Sequence, residues 1–233
     1  MVIPKRLPRV YCVRHGPTEW SLNGRHVSVL LGPRPSGKAN CLCLGVIGSN
    51  VSRRARQTYH SRKVAKKSSL TRPLDWWGQT LFAKVLISPR QRAKRTFELL
   101  FKDDLPTFEI EENVREWTYG DYEGLWKHEV VDGCEGGESP EEVTARVDYV
   151  VEKVKDVHRA WVEDPERKAD DRGGDVLIVT HGHFSRCFVA RWLGLPLTHG
   201  SLFTVETGSV TIGQYYGGSL DFPILGGLNI GTV

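Results

Sequence analysis

Two motifs that contain histidine, far apart along the chain, combine residue types suited to chemistry on an anion. Arg14-His15-Gly16 follows an apolar run at residues 10–13, and His181-Gly182 follows the apolar run Asp175–Thr180. Arginine is permanently charged and its forked donors fit phosphate oxygens, while a neutral imidazole is a nucleophile near neutral pH. The two motifs therefore predict a site for a phosphorylated substrate.

The two apolar runs are expected to be strands of one sheet. Each is short, continuous and prone to β structure, as strands buried on both faces are. Gly16 lets the chain turn after a strand over residues 9–13, so Arg14 and His15 lie at the carboxyl end, where open α/β sheets bind ligands. If the two strands are neighbours, His15 and His181 meet in one crevice.

A third strand, predicted over residues 83–87, and the helix after it add positive charge at the same place. Ser88-Pro89 is a helix-start signal, with serine as the N-cap and proline at the first helical position, which puts Arg92 in the first turn. The free N–H groups of that turn also favour an anion. A loop at residues 113–124 supplies Glu116. Two histidines, two arginines and a carboxylate are the set that metal-free phosphoryl transfer through a phosphohistidine needs.

Two further helices are predicted in the second half of the chain. Ser139 and Glu142 match a capping box that precedes an apolar stripe of valines. Phe184, Phe188 and Trp192 mark the buried face of the helix that follows the second histidine motif.

The remaining strands complete a prediction of the fold. Residues 108–110 predict a short strand, residues 203–206 and 209–215 predict edge strands, and the glycine-rich tail from Gly217 is expected to be irregular. The alternation of strands and helices predicts an α/β fold, a three-layer sandwich whose mostly parallel central sheet has helices on both faces.

Length and composition fit a soluble globular protein of one α/β domain or two small ones, and we expect residues 1–233 to form a single domain. The chain has 233 residues, of which 39% are hydrophobic and 26% are charged, as in an ordinary globular protein. No apolar run is long enough to span a bilayer and the start shows no secretory signal, so the expected location is cytoplasmic. The five cysteines are scattered and odd in number, which argues against a disulfide framework.

Residues 27–82 are an atypical basic segment of this domain. The stretch from residue 26 to residue 74 holds ten Lys and Arg residues and no Asp or Glu, so the remainder of the chain is acidic overall. A basic run can bind nucleic acid. This one shows no aromatic interleaving and no known binding module, so a solvated loop is favoured and no nucleic-acid partner is expected.

Four motifs, in this order, resemble those of the histidine phosphatase superfamily, which has the phosphoglycerate mutase-like fold. They are Arg14-His15-Gly16-x-Thr18, Ser88-Pro89-x-x-Arg92-Ala93-x-x-Thr96, Glu116 with Gly120 and Glu123-Gly124, and Thr180-His181-Gly182. The details of residues 115–124 and 132–138 are most similar to its fungal sedoheptulose-bisphosphatase-type branch. The resemblance covers residues 9–26, 84–124 and 132–215.

The resemblance implies a role for each matched residue. His15 is the expected nucleophile, and Glu116 is expected to protonate the leaving alkoxide and then to activate water. The residues implied to hold the transferring phosphoryl group are Arg14, Arg92 and His181. The residues implied to contact the substrate are Thr18, Ser21, Gly182 and His183, with Ser21 in place of an asparagine found in many relatives. Neither a metal nor a cofactor is implied.

The implied function is that of a metal-independent phosphatase for a small phosphorylated metabolite, a sugar phosphate or a bisphosphate such as sedoheptulose bisphosphate. Two alternatives are phosphoryl transfer of the phosphoglycerate mutase type and binding of a phosphate ligand without turnover. The second follows from residues 27–82, which lack the Thr-Gly pair and the helix-opening run of relatives. We hypothesise that this segment includes translated intron sequence.

Overall fold

The computed structural model describes five stretches of the chain, which are residues 6–17, 82–102, 105–122, 136–167 and 173–231. The predictions for Thr18, for Ser21 and for the basic segment up to residue 81 lie outside these stretches.

A six-stranded mixed sheet forms the centre of the described part. Its strands are β1 (Val10–Arg14), β2 (Phe82–Ile87), β3 (Glu109–Ile110), β4 (Asp175–Thr180), β5 (Val210–Tyr215) and β6 (Pro223–Ile230). In the sheet they lie in the order β3-β2-β4-β1-β5-β6. The first four strands are parallel to one another, and β5 and β6 each run antiparallel to the preceding strand of that order.

Helices cover both faces of this sheet. They are α1 (Gln91–Phe101), α2 (Pro140–Glu163) and α3 (Gly182–Trp192). The side chains of α2 and α3 pack in one buried cluster with Val10 and Ile178, and those of α1 pack in another with Val13 and Leu177. Successive residues of a strand point to opposite faces, so these two clusters are the two sides of one sheet. The predicted three-layer α/β fold is confirmed.

Strands β1 and β4 are direct neighbours, as the sequence predicts. Their register pairs Val13 with Val179 and Arg14 with Thr180. The N–H of His15 then donates to the carbonyl oxygen of Thr180 at 2.9 Å. Because Arg14 still pairs, β1 ends one residue later than predicted. The two histidine motifs therefore leave the sheet side by side.

The start of α1 differs from the prediction. Its N-cap residue is Arg90 and no side chain caps the helix, which begins at Gln91 rather than at Pro89. The hydroxyl of Ser88 lies 2.6 Å from Nε2 of His181, so this serine serves the crevice instead of the helix. Arg92 is in the first turn, as expected.

The start of α2 agrees with the prediction. The backbone N–H of Glu142 donates to Oγ of Ser139 at 3.1 Å, and the backbone N–H of Ser139 donates to a carboxylate oxygen of Glu142 at 2.8 Å. The valine stripe behind this capping box is buried. Among the described residues, no helix has the length and apolar character that crossing a membrane requires.

The last two strands correct two further predictions. Residues 203–206 are not a strand, and β5 lies between β1 and β6 rather than at the edge of the sheet. The tail is not irregular, because β6 pairs with β5 through a turn that holds Gly217 and Gly218 at positive φ. The glycines of β6 hide its strand pattern in the sequence. Gly226 is nevertheless suited to its place in the strand, because a Cβ there would lie 2.5 Å from the Gln214 side chain.

Candidate active site

His15 is buried where β1 leaves the sheet, and the protein fixes both its position and its hydrogen. Its side chain has 2% exposure, and its carbonyl oxygen accepts from the N–H of Gly208 at 3.1 Å. Nδ1 lies 2.7 Å from the carbonyl oxygen of Gly16. A carbonyl only accepts, so Nδ1 carries the hydrogen and Nε2 carries the lone pair. Burial lowers the pKa of His15 to about 4, which keeps the ring neutral near pH 7.

Arg92 links the two imidazoles of the crevice. Its Nε–H donates to Nε2 of His15 at 3.1 Å and to Nδ1 of His181 at 3.0 Å. The centroids of the two rings are 5.2 Å apart. The helix that carries Arg92 begins directly after β2, which is why this side chain reaches the ends of β1 and β4. The Arg92 guanidinium thus holds the imidazoles of His15 and His181 next to each other at the edge of the sheet.

The hydrogen of His181 is fixed by its neighbours as well. Nδ1 accepts from Arg92, so Nε2 carries the hydrogen of the neutral ring and donates to Oγ of Ser88 at 2.6 Å. Burial lowers the pKa of His181 well below its usual value. Ser88 is fully buried, and its contact with His181 was not anticipated from the sequence. The available signal was that Ser88 directly follows the apolar run of β2, whose end pairs with the end of β4.

Arg14 brings a second guanidinium to the edge. Its Nη1–H donates to the carbonyl oxygen of Val205 at 2.6 Å. Its Nε is buried and has no hydrogen-bond partner within the described stretches. A Cβ at Gly182 would lie 3.0 Å from Cζ and Nε of Arg14, so glycine lets α3 begin this close to the guanidinium without displacing it.

Glu116 lies against the first turn of α3. Its Oε1 accepts from the N–H of Trp117 at 3.1 Å and of Phe184 at 2.9 Å, and its Oε2 accepts from the N–H of His183 at 3.2 Å. Burial raises the pKa of this carboxyl, but its electrostatic interactions with His181, His183 and Arg92 and the hydrogen bond from the Phe184 N–H outweigh burial and hold it at about 2. The group is a carboxylate in the free site.

His183 packs on the segment that carries Glu116. Its ring stacks on that of Trp117 with centroids 4.7 Å apart, and its Nδ1 lies 2.7 Å from the hydroxyl oxygen of Tyr119. The N-cap residue of α3 is His181, so His183 does not cap the helix. The resemblance implies that His183 contacts the substrate, and in the structure its backbone N–H donates to Glu116.

The sequence-predicted site residues therefore divide into two groups. Residues brought to one edge of the sheet, within a connected set of contacts, are Arg14, His15, Arg92, Glu116, His181, Gly182 and His183. Thr18 and Ser21 lie outside the described stretches. The first group places a neutral nitrogen lone pair beside two guanidinium groups and a carboxylate. Such an arrangement can transfer a phosphoryl group to nitrogen while cations balance its charge.

The chain is similar in sequence to a protein family and to phosphatases of that kind. A family model described as "Histidine phosphatase superfamily (branch 1)" matches residues 74–224. The chain is 27% identical over 218 residues to the sedoheptulose 1,7-bisphosphatase of Saccharomyces cerevisiae, with 83% of this chain and 70% of that protein covered. It is 29% identical over 232 residues to an acid phosphatase of Mycobacterium tuberculosis, with 94% and 92% covered.

Solved structures share the fold. One is the product of an open reading frame of Mycobacterium tuberculosis, with a TM-score of 0.62, 25% identity, and 95% of this chain and 97% of that chain covered. Another is a mycobacterial glucosyl-3-phosphoglycerate phosphatase, with a TM-score of 0.61, 19% identity, and 97% and 100% covered. At 19% identity the likeness is one of fold.

Proposed function

The chain belongs to the histidine phosphatase superfamily and is a phosphoric monoester hydrolase, and from this premise we propose that it hydrolyses a small sugar phosphate or sugar bisphosphate through a phosphohistidine at His15. The similarity to the yeast sedoheptulose 1,7-bisphosphatase supports a sugar bisphosphate as the substrate. The proposed mechanism uses side chains alone.

The first step forms a bond from Nε2 of His15 to phosphorus and breaks the bond from phosphorus to the sugar oxygen. The leaving oxygen takes a proton. Glu116 is ionised in the free site, so this proton enters with the phosphate monoester as its monoanion and passes through the carboxylate. Oε1 already accepts two N–H groups and Oε2 accepts one, so Oε2 is the atom that relays the proton.

The second step returns the enzyme to its starting state. A water molecule attacks the phosphorus of phosphohistidine, and its proton goes to the Glu116 carboxylate. The bond from Nε2 of His15 to phosphorus breaks, and phosphate leaves with the proton. Arg14, Arg92 and His181 surround the charge that spreads over the phosphoryl oxygens in both steps.

A single observation carries the proposal: Nε2 of His15 is an unprotonated nitrogen that faces Arg92. The Gly16 carbonyl holds the hydrogen on the opposite nitrogen, and burial keeps the ring neutral. A histidine that only stabilised the fold would not need its lone pair directed at a phosphate-binding cation.

The proposal is tested by phosphate release from a panel of sugar phosphates and bisphosphates, with and without a chelator. The variant His15→Ala is assayed beside the unaltered protein, and rapid quenching with labelled substrate detects acid-labile phosphohistidine. Release that resists the chelator and disappears in His15→Ala is expected. Full activity in that variant would contradict the mechanism. Isomerisation of a monophosphoglycerate without phosphate release would indicate a mutase.

A further inference from the structure

Arg146, on α2, is a buried arginine whose contacts leave the helix and reach the segment that carries Glu116. Its side chain has 6% exposure. Nε and Nη2 donate to the two carboxylate oxygens of Glu138 at 2.7 and 2.9 Å, which is a bidentate pair. The mechanism described above does not use either residue.

The remaining donors of Arg146 bind backbone. Nη1 donates to the carbonyl oxygens of Asn113 and Arg115, each at 3.0 Å, and Nη2 also approaches the carbonyl oxygen of Glu116 at 3.4 Å. Three peptide groups of one short segment are thereby attached to one guanidinium. The plane of a guanidinium is rigid, so these attachments fix the direction of the backbone at Glu116.

Glu138 holds the same segment from the other side. Its carboxylate accepts from the N–H of Thr118 at 2.9 Å and from Nη2 of Arg115 at 2.6 Å. Its backbone N–H donates to the carbonyl oxygen of Thr118 at 2.9 Å, and its carbonyl oxygen accepts from Nε1 of Trp117 at 3.0 Å. A Cβ at Gly137 would lie 2.5 Å from the Thr118 oxygen, so glycine is required for this approach.

The pair also touches the first turn of α3. Cζ of Arg146 lies 5.6 Å from the centroid of the Phe184 ring, and the N–H of Phe184 is one of the donors to Glu116. Stability alone gives little reason for a buried ion pair, because desolvation offsets most of its attraction and apolar residues of the same volume often serve as well. The contacts share a target, which is the placement of one carboxylate.

We infer that Arg146 and Glu138 are positioning residues that hold Oε2 of Glu116 where it can pass a proton to the leaving oxygen, an inference that rests on the proposed function. The side-chain hydrogen bonds of both residues go to each other and to the segment that carries Glu116. Proton transfer requires heavy atoms within about 3 Å, and a displacement of 1 Å can cost about 100-fold in rate.

The inference predicts a dependence on the leaving group. An alkoxide needs a proton as it departs, whereas a nitrophenolate is stable without one. Loosening the Glu116 segment should therefore slow hydrolysis of glycerol phosphate far more than hydrolysis of p-nitrophenyl phosphate. Simple unfolding would lower both rates by the same factor, because it only removes enzyme.

The test compares kcat/KM on these two substrates for Arg146→Lys and Glu138→Gln, because kcat/KM covers the steps through departure of the leaving group and excludes the attack of water, in which Glu116 also takes part. Arg146→Lys keeps the charge and loses the fork, and Glu138→Gln keeps the shape and loses the charge. A matched control is Asp148→Asn, which weakens the other bidentate pair of α2, from Asp148 to Arg191, at 2.6 and 2.9 Å. Glu116→Gln is the benchmark for complete loss of the proton path, and circular dichroism measures the folded fraction.

For Arg146→Lys and for Glu138→Gln, we expect the rate to fall about 100-fold on glycerol phosphate and less than about 10-fold on p-nitrophenyl phosphate. Asp148→Asn should leave both rates unchanged. Three outcomes would each overturn the inference. They are equal losses on the two substrates, no loss on either, and unfolding of both Arg146→Lys and Glu138→Gln while Asp148→Asn stays folded. If only Glu116→Gln shows the leaving-group effect, Arg146 and Glu138 are not positioning residues and the proposed function stands. If the unaltered protein hydrolyses neither ester nor any of the sugar phosphates, both fail.

Discussion

The Gly16 carbonyl decides which nitrogen of His15 can react. It lies 2.7 Å from Nδ1 and holds the hydrogen there, which leaves Nε2 as the only nitrogen with a lone pair. Burial then removes the positive charge that a more exposed histidine would carry in mildly acidic solution. One backbone oxygen and the burial of the ring therefore supply both conditions that a nitrogen nucleophile needs.

We expect activity to persist in acid. Burial lowers the pKa of His15 to about 4, so the ring stays neutral until the pH falls through that value, whereas an exposed histidine is protonated below about pH 6.5. The measurement is kcat/KM against pH, which reports the ionisation of the free enzyme. Circular dichroism at each pH separates titration from unfolding. An acid limb near pH 6.5 in folded protein would contradict the assignment.

The two arginines and the two histidines of the site each lie at the end of a strand or at the start of a helix, whereas Glu116 lies in a loop. Arg14 and His15 end β1 and His181 ends β4, while Arg92 lies in the first turn of the helix that follows β2. Parallel neighbours put all these ends at one edge, so residues far apart in sequence meet without long loops. Packing at that edge is close, since a Cβ at Gly182 would lie 3.0 Å from Arg14.

We expect Gly182→Ala to impair phosphate binding more than folding. The new Cβ would lie 3.0 Å from Cζ of Arg14, so the guanidinium must move, whereas alanine is the better helix former. KM should rise and kcat should fall, each by about 10-fold or more. Steady-state kinetics and urea unfolding measure the two effects. Gly194→Ala is the control: φ is +72° there with no atom near the added carbon, so it should lower stability alone.

The elements that the sequence predicts well are those with continuous apolar patterns or complete end signals. Strand β4 is buried along its whole length, and α2 begins with its capping box, so local residues determine both. The meeting of His15 and His181 was predictable because two strands end in the same type of motif. These are features that neighbouring residues specify by themselves.

Other features depend on contacts that no local pattern shows. Ser88 has the residue type of an N-cap, but its hydroxyl is hydrogen-bonded to the buried imidazole of His181, which is far from it in the sequence. Strand β6 reads as irregular because its glycines carry no pattern; they are required by close side chains of β5 and of β6 itself. The partners of Arg146 come from a segment that precedes it by about thirty residues, and only the fold brings them together.

Three buried histidines give the molecule as a whole a sensitivity to acid. His15, His158 and His181 all have lowered pKa values, because burial in each case disfavours the charged ring. His158 lies in the core away from the site, with Nδ1 2.8 Å from the hydroxyl oxygen of Tyr215. A group that binds its proton more weakly when folded than when unfolded makes the folded state less stable as the pH falls.

We expect the free energy of unfolding to decrease as the pH falls from about 6.5 towards 3, with His158 as one cause. The pKa of His158 is lowered to about 3, so its contribution to the free energy of unfolding is fully present above the unfolded pKa of about 6.5. About 2 kcal/mol of that free energy is lost by pH 5. Urea unfolding at several pH values measures this. His158→Asn, which keeps a polar atom near Tyr215, should show a smaller slope with pH than the unaltered protein. An equal slope would contradict the assignment.

The register of β1 on β4 has a consequence for how samples of this protein are judged. Arg14 pairs with Thr180, and His15, the proposed nucleophile, is the next residue along. A slip of one residue would turn every side chain of β1 to the other face of the sheet and separate the two histidines. Such a chain could still be compact and helical, and spectroscopy would count it as folded. Titration of the phosphohistidine formed per mole of chain counts only the molecules whose central strands are correctly aligned.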